Sequence, residues 1–166
     1  EPSGSALAPV RNAPKIIEAD DLKVYFPIKA GLMRRVVDYV RAVDGITLEV
    51  REGQTVGVVG ESGSGKTTLG LALLRLISSD GPIEFEGEAI EGLRTRELRP
   101  LRREMQIVFQ DPYGSLSPRM SIAQIIAEGL KVHGIGDSAE DRDEMIVQVM
   151  EEVGLDPAAR HRYPHE

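Results

Sequence analysis

The sequence predicts an α/β fold in which a short apolar strand leads into a glycine-rich loop and then into a helix. Residues 54–59 form an apolar, β-branched run that is typical of a buried parallel strand. The loop follows directly. After it, apolar residues recur at the spacing of a helix that packs on a sheet: Leu69, Ala72, Leu73, Leu76 and Ile77. This order points the amino end of the helix at whatever the loop binds.

The loop matches the phosphate-binding pattern G-x-x-x-x-G-K-[ST] at every fixed position. Its glycines allow successive backbone N–H groups to curl around an anion. Lys66 supplies a positive charge for the β- and γ-phosphates, and the Thr67 hydroxyl is the expected ligand of a Mg²⁺ ion. We therefore expect a nucleoside triphosphate and Mg²⁺ to bind at consecutive residues: Gly60, Glu61, Ser62, Gly63, Ser64, Gly65, Lys66, Thr67 and Thr68.

Length and composition narrow the class of protein. The 166 residues are 41% apolar, which is enough for one core, and no stretch approaches the ~20 apolar residues that a transmembrane helix requires. A net charge of −7 argues against a general nucleic-acid partner. Because the chain has no cysteine, a disulfide framework and a cysteine-based zinc site are excluded, and a reducing compartment is favoured.

The first half of the chain alternates strand and turn signals. Two β-rich runs, residues 15–26 and 42–50, bracket a segment with Pro27 and Gly31 that is predicted to be a loop. Residues 83–90 predict a hairpin that turns at Gly87 beside the main sheet. We expect these runs to surround the loop-bearing strand.

The middle of the chain contains a predicted helix and another strand. Residues 94–103 predict a helical connection with Thr95 as its N-cap. Residues 105–110 alternate as a strand does, and Pro112 and Gly114 end it. Gln110 therefore comes at the carboxyl end of a strand, where α/β sheets bind ligands, although a glutamine that only caps the strand is the alternative.

The last third of the chain is predicted to be helical. Ser121 and Ser138 are N-cap residues of two apolar-periodic runs, and Gly154 is a helix stop. We divide the chain into a linker or expression remnant (residues 1–14), the first part of a nucleotide-binding core (15–110) and an incomplete helical subdomain (111–166).

Three segments, in this order, resemble one known family over nearly all of residues 16–166: E-G-Q-T-V-G-V-V-G-E-S-G-S-G-K-T-T-L, M-Q-I-V-F-Q-D-P-Y-G-S-L-S-P-R-M and R-Y-P-H-E. They resemble the ATP-binding subunits of ABC transporters, most closely the oligopeptide and dipeptide importer branch. The resemblance implies a P-loop NTPase core of the RecA-like type, with an antiparallel β edge and the start of an α-helical subdomain. It also implies that ATP binding and hydrolysis by the intact protein drive peptide import.

The resemblance assigns roles to particular residues. Gln110 resembles the Q-loop glutamine, which helps to hold Mg²⁺ and the attacking water, so Lys66 and Gln110 are the expected catalytic residues and Thr67 and Gln110 the expected metal ligands. The preference for ATP over GTP rests on the resemblance alone.

In this family an aromatic residue at the end of the first strand stacks on adenine. The pattern D-L-K-V-Y-F places Phe26 in that role, with Tyr25 as the next candidate and Tyr39 as a further alternative. A purely structural role for Phe26 in the core is the competing interpretation.

The resemblance also implies partners and a location. Transmembrane permease subunits would dock near residues 113–120, and a second nucleotide-binding domain would pair with this one as a homodimer, a heterodimer or a fused cassette. The protein would be peripheral, on the cytoplasmic face of the inner (plasma) membrane. Because the family's S-G-G-Q stretch would follow residues 163–166, we expect this chain alone to bind nucleotide weakly and not to hydrolyse it.

Hypotheses of other classes remain open at this point. One is an ATPase of DNA maintenance that shares the ABC core, although no sustained heptads indicate its coiled coil. A P-loop kinase or a GTPase is another, and the sequence lacks the N-K-x-D of a GTPase. The last is an interaction fragment without any nucleotide role.

Overall fold

The structure is a computed structural model that describes residues 12–30, 35–111 and 114–166. The chain divides into two compact units, Glu1–Met105 and Gln106–Glu166. Most of the segment that we interpret as a linker lies outside the described residues, and so do Pro112 and Tyr113. None of the helices in the described ranges is long and apolar enough to cross a lipid bilayer.

The first unit is built on a four-stranded antiparallel sheet. Its strands are β1 (Lys15–Ala30), β2 (Arg35–Arg51), β3 (Ile83–Phe85) and β4 (Glu88–Ala89), in the spatial order β2-β1-β3-β4. Strands β1 and β2 pair along nearly their whole length, with several register shifts. Strand β3 pairs with β1 through residues 17–19.

The predicted loop between residues 26 and 42 is wrong on both sides, because β1 extends to Ala30 and β2 begins at Arg35; Gly31 lies outside the described residues. Pro27 lies within β1, opposite Tyr39 on β2. On its second edge β1 pairs with β3 as far as Ala19 and then forms one bridge, between Lys23 and Asp80. No pairing with a described residue on that edge reaches Pro27, so its missing N–H interrupts no ladder there. The β-branched side chains of Ile28 and Val36 favour the extended conformation on either side.

Two predicted strands, residues 54–59 and 105–110, are also wrong. Neither segment belongs to a ladder with any described residue. Val59 is 93% exposed and Val108 is 94% exposed, while Met105 is buried in the core of the first unit. An apolar run records a tendency to be buried, but a strand forms only when a neighbouring strand satisfies its N–H and C=O groups.

Helix α1 (Lys66–Leu73) packs on the sheet, although it is shorter than its apolar stripe predicts. The chain leaves the helix at Leu74, and Arg75 takes a left-handed conformation with φ of 54°. Ile77 lies beyond the helix but still packs against the core. The most deeply buried core side chains are apolar and come from the sheet, α1 and the chain that follows β4: Leu22, Val24, Ala72, Ile83 and Ile90.

The hairpin predicted at residues 83–90 is confirmed. Glu86 and Gly87 connect β3 to β4 and have φ of 50° and 82°, the left-handed conformations that a tight two-residue hairpin turn requires. Helix α2 (Thr95–Leu98) follows, and its N-cap is Arg94, so the prediction of Thr95 is wrong. The Glu97 carboxylate accepts a hydrogen bond of 2.8 Å from the Arg94 N–H and thereby fixes the start of the helix.

The second unit contains α3 (Ile122–Val132), α4 (Ala139–Glu152) and a short 3₁₀ helix (Pro157–His161). Both predicted N-caps are confirmed. The Ser121 hydroxyl accepts a hydrogen bond from the N–H of Gln124, and the Ser138 hydroxyl accepts one from the N–H of Asp141. The predicted stop is confirmed as well, since Gly154 follows the last turn of α4 with φ of 76°.

Candidate nucleotide site

The glycine loop leads directly into α1 and lies against β2. Gly65 is the N-cap of α1 and has φ of 90°, in the left-handed region that favours glycine. A Cβ atom on Gly65 would lie 2.0 Å from the Ala42 carbonyl oxygen. Glycine at this position therefore does two things: it allows the turn and it lets the loop backbone touch β2.

The amino end of α1 has the features of an anion-binding helix terminus. Gly65 has no side chain to accept hydrogen bonds from the first-turn N–H groups, and that turn contains no acidic residue. The free N–H groups and the positive end of the helix dipole therefore face outward without a competing charge. Thr67 is exposed and Thr68 half-buried in this turn.

Lys66 is folded back over the loop. Its ammonium group donates hydrogen bonds to the carbonyl oxygens of Gly60 (2.8 Å) and Glu61 (2.6 Å) and to the Ser64 hydroxyl (3.3 Å). These contacts use its three donors on atoms of the loop itself. These hydrogen bonds hold the Lys66 ammonium group against the loop. A bound anion can replace one or more of these hydrogen bonds.

The loop and β2 together enclose a cavity of about 330 Å³. Its lining contains two cationic side chains, Lys66 and Arg41, and no carboxylate. A second cavity of about 370 Å³ shares both cations and adds the Asp44 carboxylate and apolar side chains, including Val58 and Leu69. A glycine cradle that a Cβ would fill, together with two cations, fits a polyphosphate.

Arg41 is held by two residues that lie near it on the sheet. Its guanidinium carbon lies 5.6 Å from the centre of the Tyr25 ring, and its Nη1 lies 3.6 Å from Asp44 Oδ2. The Tyr25 hydroxyl donates a hydrogen bond to Asp44 Oδ1. That bond raises the pKa of Tyr25 above its ordinary value; the same bond and, after it, the nearby Arg41 lower the pKa of Asp44.

The three aromatic candidates for adenine stacking occupy different positions on the β1–β2 hairpin. Phe26 lies opposite Val40, which lines the loop cavity, and it is 45% exposed. Tyr25 has the Arg41 guanidinium over its ring, and its hydroxyl is bonded to Asp44. Tyr39 lies with its ring centre 6.4 Å from that of Tyr25. The exposed Phe26 excludes the interpretation that it is a core residue.

The predicted site residues are divided between the two units. Residues 60–68 form one loop and helix start in the first unit, whereas Gln110 is an exposed residue of the second unit. Val40, Arg41 and Ala42 line the loop cavity although the sequence did not single them out. Correct pairing of the β1–β2 hairpin would have found them, because Tyr25 lies opposite Arg41 and Phe26 opposite Val40.

An α/β unit in which a glycine loop of this pattern opens a helix defines the P-loop NTPase class. The profile of the family described as "ABC transporter" matches residues 43–166. The chain belongs to the ABC transporter family.

Relatives in the family carry names from transport systems. The chain is 61% identical over all its 166 residues to the peptidoglycan transport ATP-binding protein YejF of Agrobacterium fabrum (strain C58) and covers 30% of that protein. It is 43% identical to the oligopeptide transport ATP-binding protein AppF of Bacillus subtilis (strain 168), over 93% of this chain and 47% of AppF. The chain thus spans less than half the length of these relatives.

Solved structures confirm the fold class. A dimeric structure of the ATP-binding cassette MJ0796 in a post-hydrolysis state, bound to ADP and Pi, matches with a TM-score of 0.73 at 21% identity, over 90% of this chain and 62% of that one. CbiO1 from Clostridium perfringens, described as part of the ABC transporter complex cbiONQ, matches with a TM-score of 0.70 at 20% identity, over 92% of this chain and 55% of that chain.

Proposed function

We propose that this chain forms the ATP-binding loop region of an importer ATPase that couples ATP binding and hydrolysis to uptake of peptides or peptide-containing compounds. The observation that carries the proposal is the loop cavity, where the glycine cradle, the start of α1 and Lys66 converge. Two relatives are named for peptidoglycan transport and oligopeptide transport, and both names describe cargo that contains peptide bonds.

In this proposal the loop binds the triphosphate of ATP. Backbone N–H groups of residues 60–67 surround the β-phosphate, and Lys66 exchanges its contacts with the loop carbonyls for the β- and γ-phosphates. The exposed Thr67 hydroxyl would ligate Mg²⁺, which would neutralise developing charge on the phosphates. Gln110, in the second unit, is the proposed further ligand and water-positioning residue.

Phe26 is the proposed adenine-stacking residue. Its partner Val40 lines the loop cavity, and its ring is about half exposed, whereas Tyr25 is engaged by Arg41 and Asp44. Aromatic stacking on a purine is worth roughly 1–3 kcal/mol, so its removal weakens binding without abolishing it. Tyr39 is the alternative, since it is also about half exposed on the neighbouring strand.

Hydrolysis of ATP requires a group that activates the attacking water molecule, and the loop cavity does not supply a carboxylate for this role. The lining of that cavity has no carboxylate that could activate a water molecule. We therefore propose that the 166-residue chain binds nucleotide weakly and turns over little by itself, whereas the intact ATPase is transport-coupled.

The proposed partners are transmembrane permease subunits and a second nucleotide-binding domain, at the cytoplasmic face of the inner membrane. Residues 114–120 of the second unit are the described part of the proposed permease-docking segment. Leu116 in this segment lines an apolar cavity of about 320 Å³ together with residues of α3 and the chain end: Ile122, Ile125, Ile126, Leu155 and Pro164. Such a cavity fits apolar side chains of a short permease helix.

Titration calorimetry of Mg²⁺-ATP on the unmodified chain and on Lys66→Ala tests the proposal, with phosphate release assayed on the same samples. We expect weak binding that Lys66→Ala reduces by at least about tenfold, and little turnover in either sample. Lys23→Ala is the matched control, because Lys23 is a cation that pairs with Asp21 outside both loop cavities. Binding that is equal in all three proteins would contradict a nucleotide role for the loop.

A further inference from the structure

We propose that Arg41 is a second cationic contact of the nucleotide, placed to bind the α-phosphate and ribose beside Lys66. This inference rests on the proposed function and adds a residue that determines where the polyphosphate lies. It is carried by the position of Arg41 on β2, by the residues that hold its side chain and by the charge of the loop cavity.

The contact between β2 and the loop fixes the position of Arg41. Ala42 follows Arg41 on β2, and its carbonyl oxygen occupies the space that a Cβ on Gly65 would need, at 2.0 Å. The strand and the loop are therefore in backbone contact. As a result, Arg41 lines both cavities that flank the loop, and Lys66 is the second cation in each.

The Arg41 side chain is oriented but retains donors for a ligand. The Tyr25 ring lies beneath the guanidinium at 5.6 Å, and Asp44 forms an ion pair with it at 3.6 Å, a long distance for a hydrogen bond. The Arg41 side chain is 67% exposed, so solvent screens this pair and little free energy opposes a new contact. A guanidinium has five N–H donors, and one weak pair leaves most of them for phosphate oxygens.

The order of residues along the cavity indicates which part of the nucleotide Arg41 reaches. Val40, opposite Phe26, marks the end where the adenine is proposed to stack. Lys66 marks the end where the β- and γ-phosphates bind. Arg41 follows Val40 in the chain and lines the same cavity as Lys66, so we assign to it the α-phosphate and the ribose, the part of the nucleotide between the adenine and the β- and γ-phosphates. The first cavity has no carboxylate in its lining, and the one carboxylate that pairs with Arg41, Asp44, lines the second cavity and lies 3.6 Å from the guanidinium.

Titrations with ATP, ADP and AMP on three arginine variants test this placement. We expect Arg41→Ala to weaken the binding of all three nucleotides by a similar factor of about ten, because all three have an α-phosphate. Arg41→Lys should restore part of the affinity, because lysine keeps the positive charge but lacks the planar guanidinium that can donate two parallel hydrogen bonds to a phosphate. Arg35→Ala is the matched control, an exposed arginine of the same strand outside both cavities.

Lys66→Ala separates this inference from the proposed function. We expect it to weaken ATP far more than AMP, whereas Arg41→Ala changes both alike. If Arg41→Ala binds every nucleotide as Arg35→Ala does, while Lys66→Ala loses ATP, the inference is wrong and the proposed function stands. If the unmodified chain binds no nucleotide, both are overturned. Should Arg41→Ala lose its fold by circular dichroism, Arg41→Gln, which keeps part of the apolar stem and an N–H donor but loses the charge, gives the same readout.

Discussion

The glycine loop of residues 60–67 and the apolar segment of residues 54–59 are consecutive in the chain but are held by different contacts. The loop is closed by Lys66 hydrogen bonds to Gly60 and Glu61, and it touches one strand at Ala42. The segment before it forms no ladder with any described residue, and Val59 is 93% exposed. Turn geometry thus forms from near neighbours in sequence, whereas a buried strand exists only where other strands pair with it.

The second unit repeats this contrast. The start of α3 is fixed by two hydrogen bonds between Ser121 and Gln124, three residues apart. Residues 106–110, whose pattern is also typical of a strand, leave Val108 94% exposed. In both units the turns and caps that near neighbours complete are formed, whereas these two apolar runs, which have no partner strand among the described residues, are not strands.

The largest effect expected from a single substitution is at Gly65. Gly65→Ala would place a Cβ 2.0 Å from the Ala42 carbonyl oxygen and would force a non-glycine residue to φ of 90°. We expect a loss of at least ~3 kcal/mol in the free energy of unfolding, together with loss of nucleotide binding. Urea unfolding and an ATP titration measure the two effects.

Gly63→Ala is the control for strain without a clash. Gly63 has φ of 80°, but nothing lies within 4 Å of the position that its Cβ would take. We expect a cost of about 1 kcal/mol from the backbone conformation alone. Equal costs for the two substitutions would show that the loop does not rest on β2 as described.

A pair of valine substitutions tests the difference between a formed and an unformed strand. Val24 on β1 is 2% exposed, so Val24→Thr buries a hydroxyl and should cost about 2 kcal/mol in the free energy of unfolding. Val59 is almost fully exposed, and Val59→Thr should change that free energy by less than about 0.5 kcal/mol. A cost at Val59 that matched the cost at Val24 would mean that residues 54–59 are a buried strand after all.

The smallest expected effect is the change with pH in the stabilisation that the Tyr25–Asp44 hydrogen bond provides beside the loop. The hydrogen bond to Asp44 raises the pKa of Tyr25 from its ordinary value of 10.0, so the contact's stabilisation is present below that pH and is lost as the pH rises through the folded-state pKa. The same bond lowers the pKa of Asp44 from 3.8, so its contribution is present above that pH and is lost as the pH falls through the folded-state pKa.

Phenolate absorbance measured against pH, for the unmodified chain and for Tyr25→Phe, checks this contact. The chain has four tyrosines, and the difference between the two titrations isolates one of them. We expect the missing component to titrate above pH 10.0. A component at the ordinary value of a tyrosine would show that the hydroxyl is not bonded to Asp44.

Sequence patterns predicted the parts of the fold that depend on near neighbours. The hairpin turn at Gly87, the cap at Ser138 and the stop at Gly154 each depend on the backbone conformation or side chain of one residue, and the structure contains them. The start of α2 was predicted one residue late, because Glu97 rather than a small polar side chain closes its first turn.

The parts of the fold and of the candidate site that were not predicted depend on pairings between distant residues, which no local pattern encodes. The register shifts in the β1–β2 hairpin bring Arg41 opposite Tyr25 and Ala42 against Gly65. An arginine in an alternating strand looks like an ordinary solvent-facing residue until its partner across the sheet is known. The candidate site was therefore predicted as a loop, and its β2 wall was missed.

The backbone of residues 60–67 is proposed to fold locally into a cradle for a triphosphate. Amide chemical shifts of a ¹⁵N-labelled chain, recorded while Mg²⁺-ATP is added, test whether it does. We expect the largest shifts on the N–H groups of Gly63, Gly65, Lys66 and Thr67, and we expect Lys66→Ala to remove them. Shifts confined to other parts of the chain, or unchanged in Lys66→Ala, would show that the loop is not a triphosphate cradle.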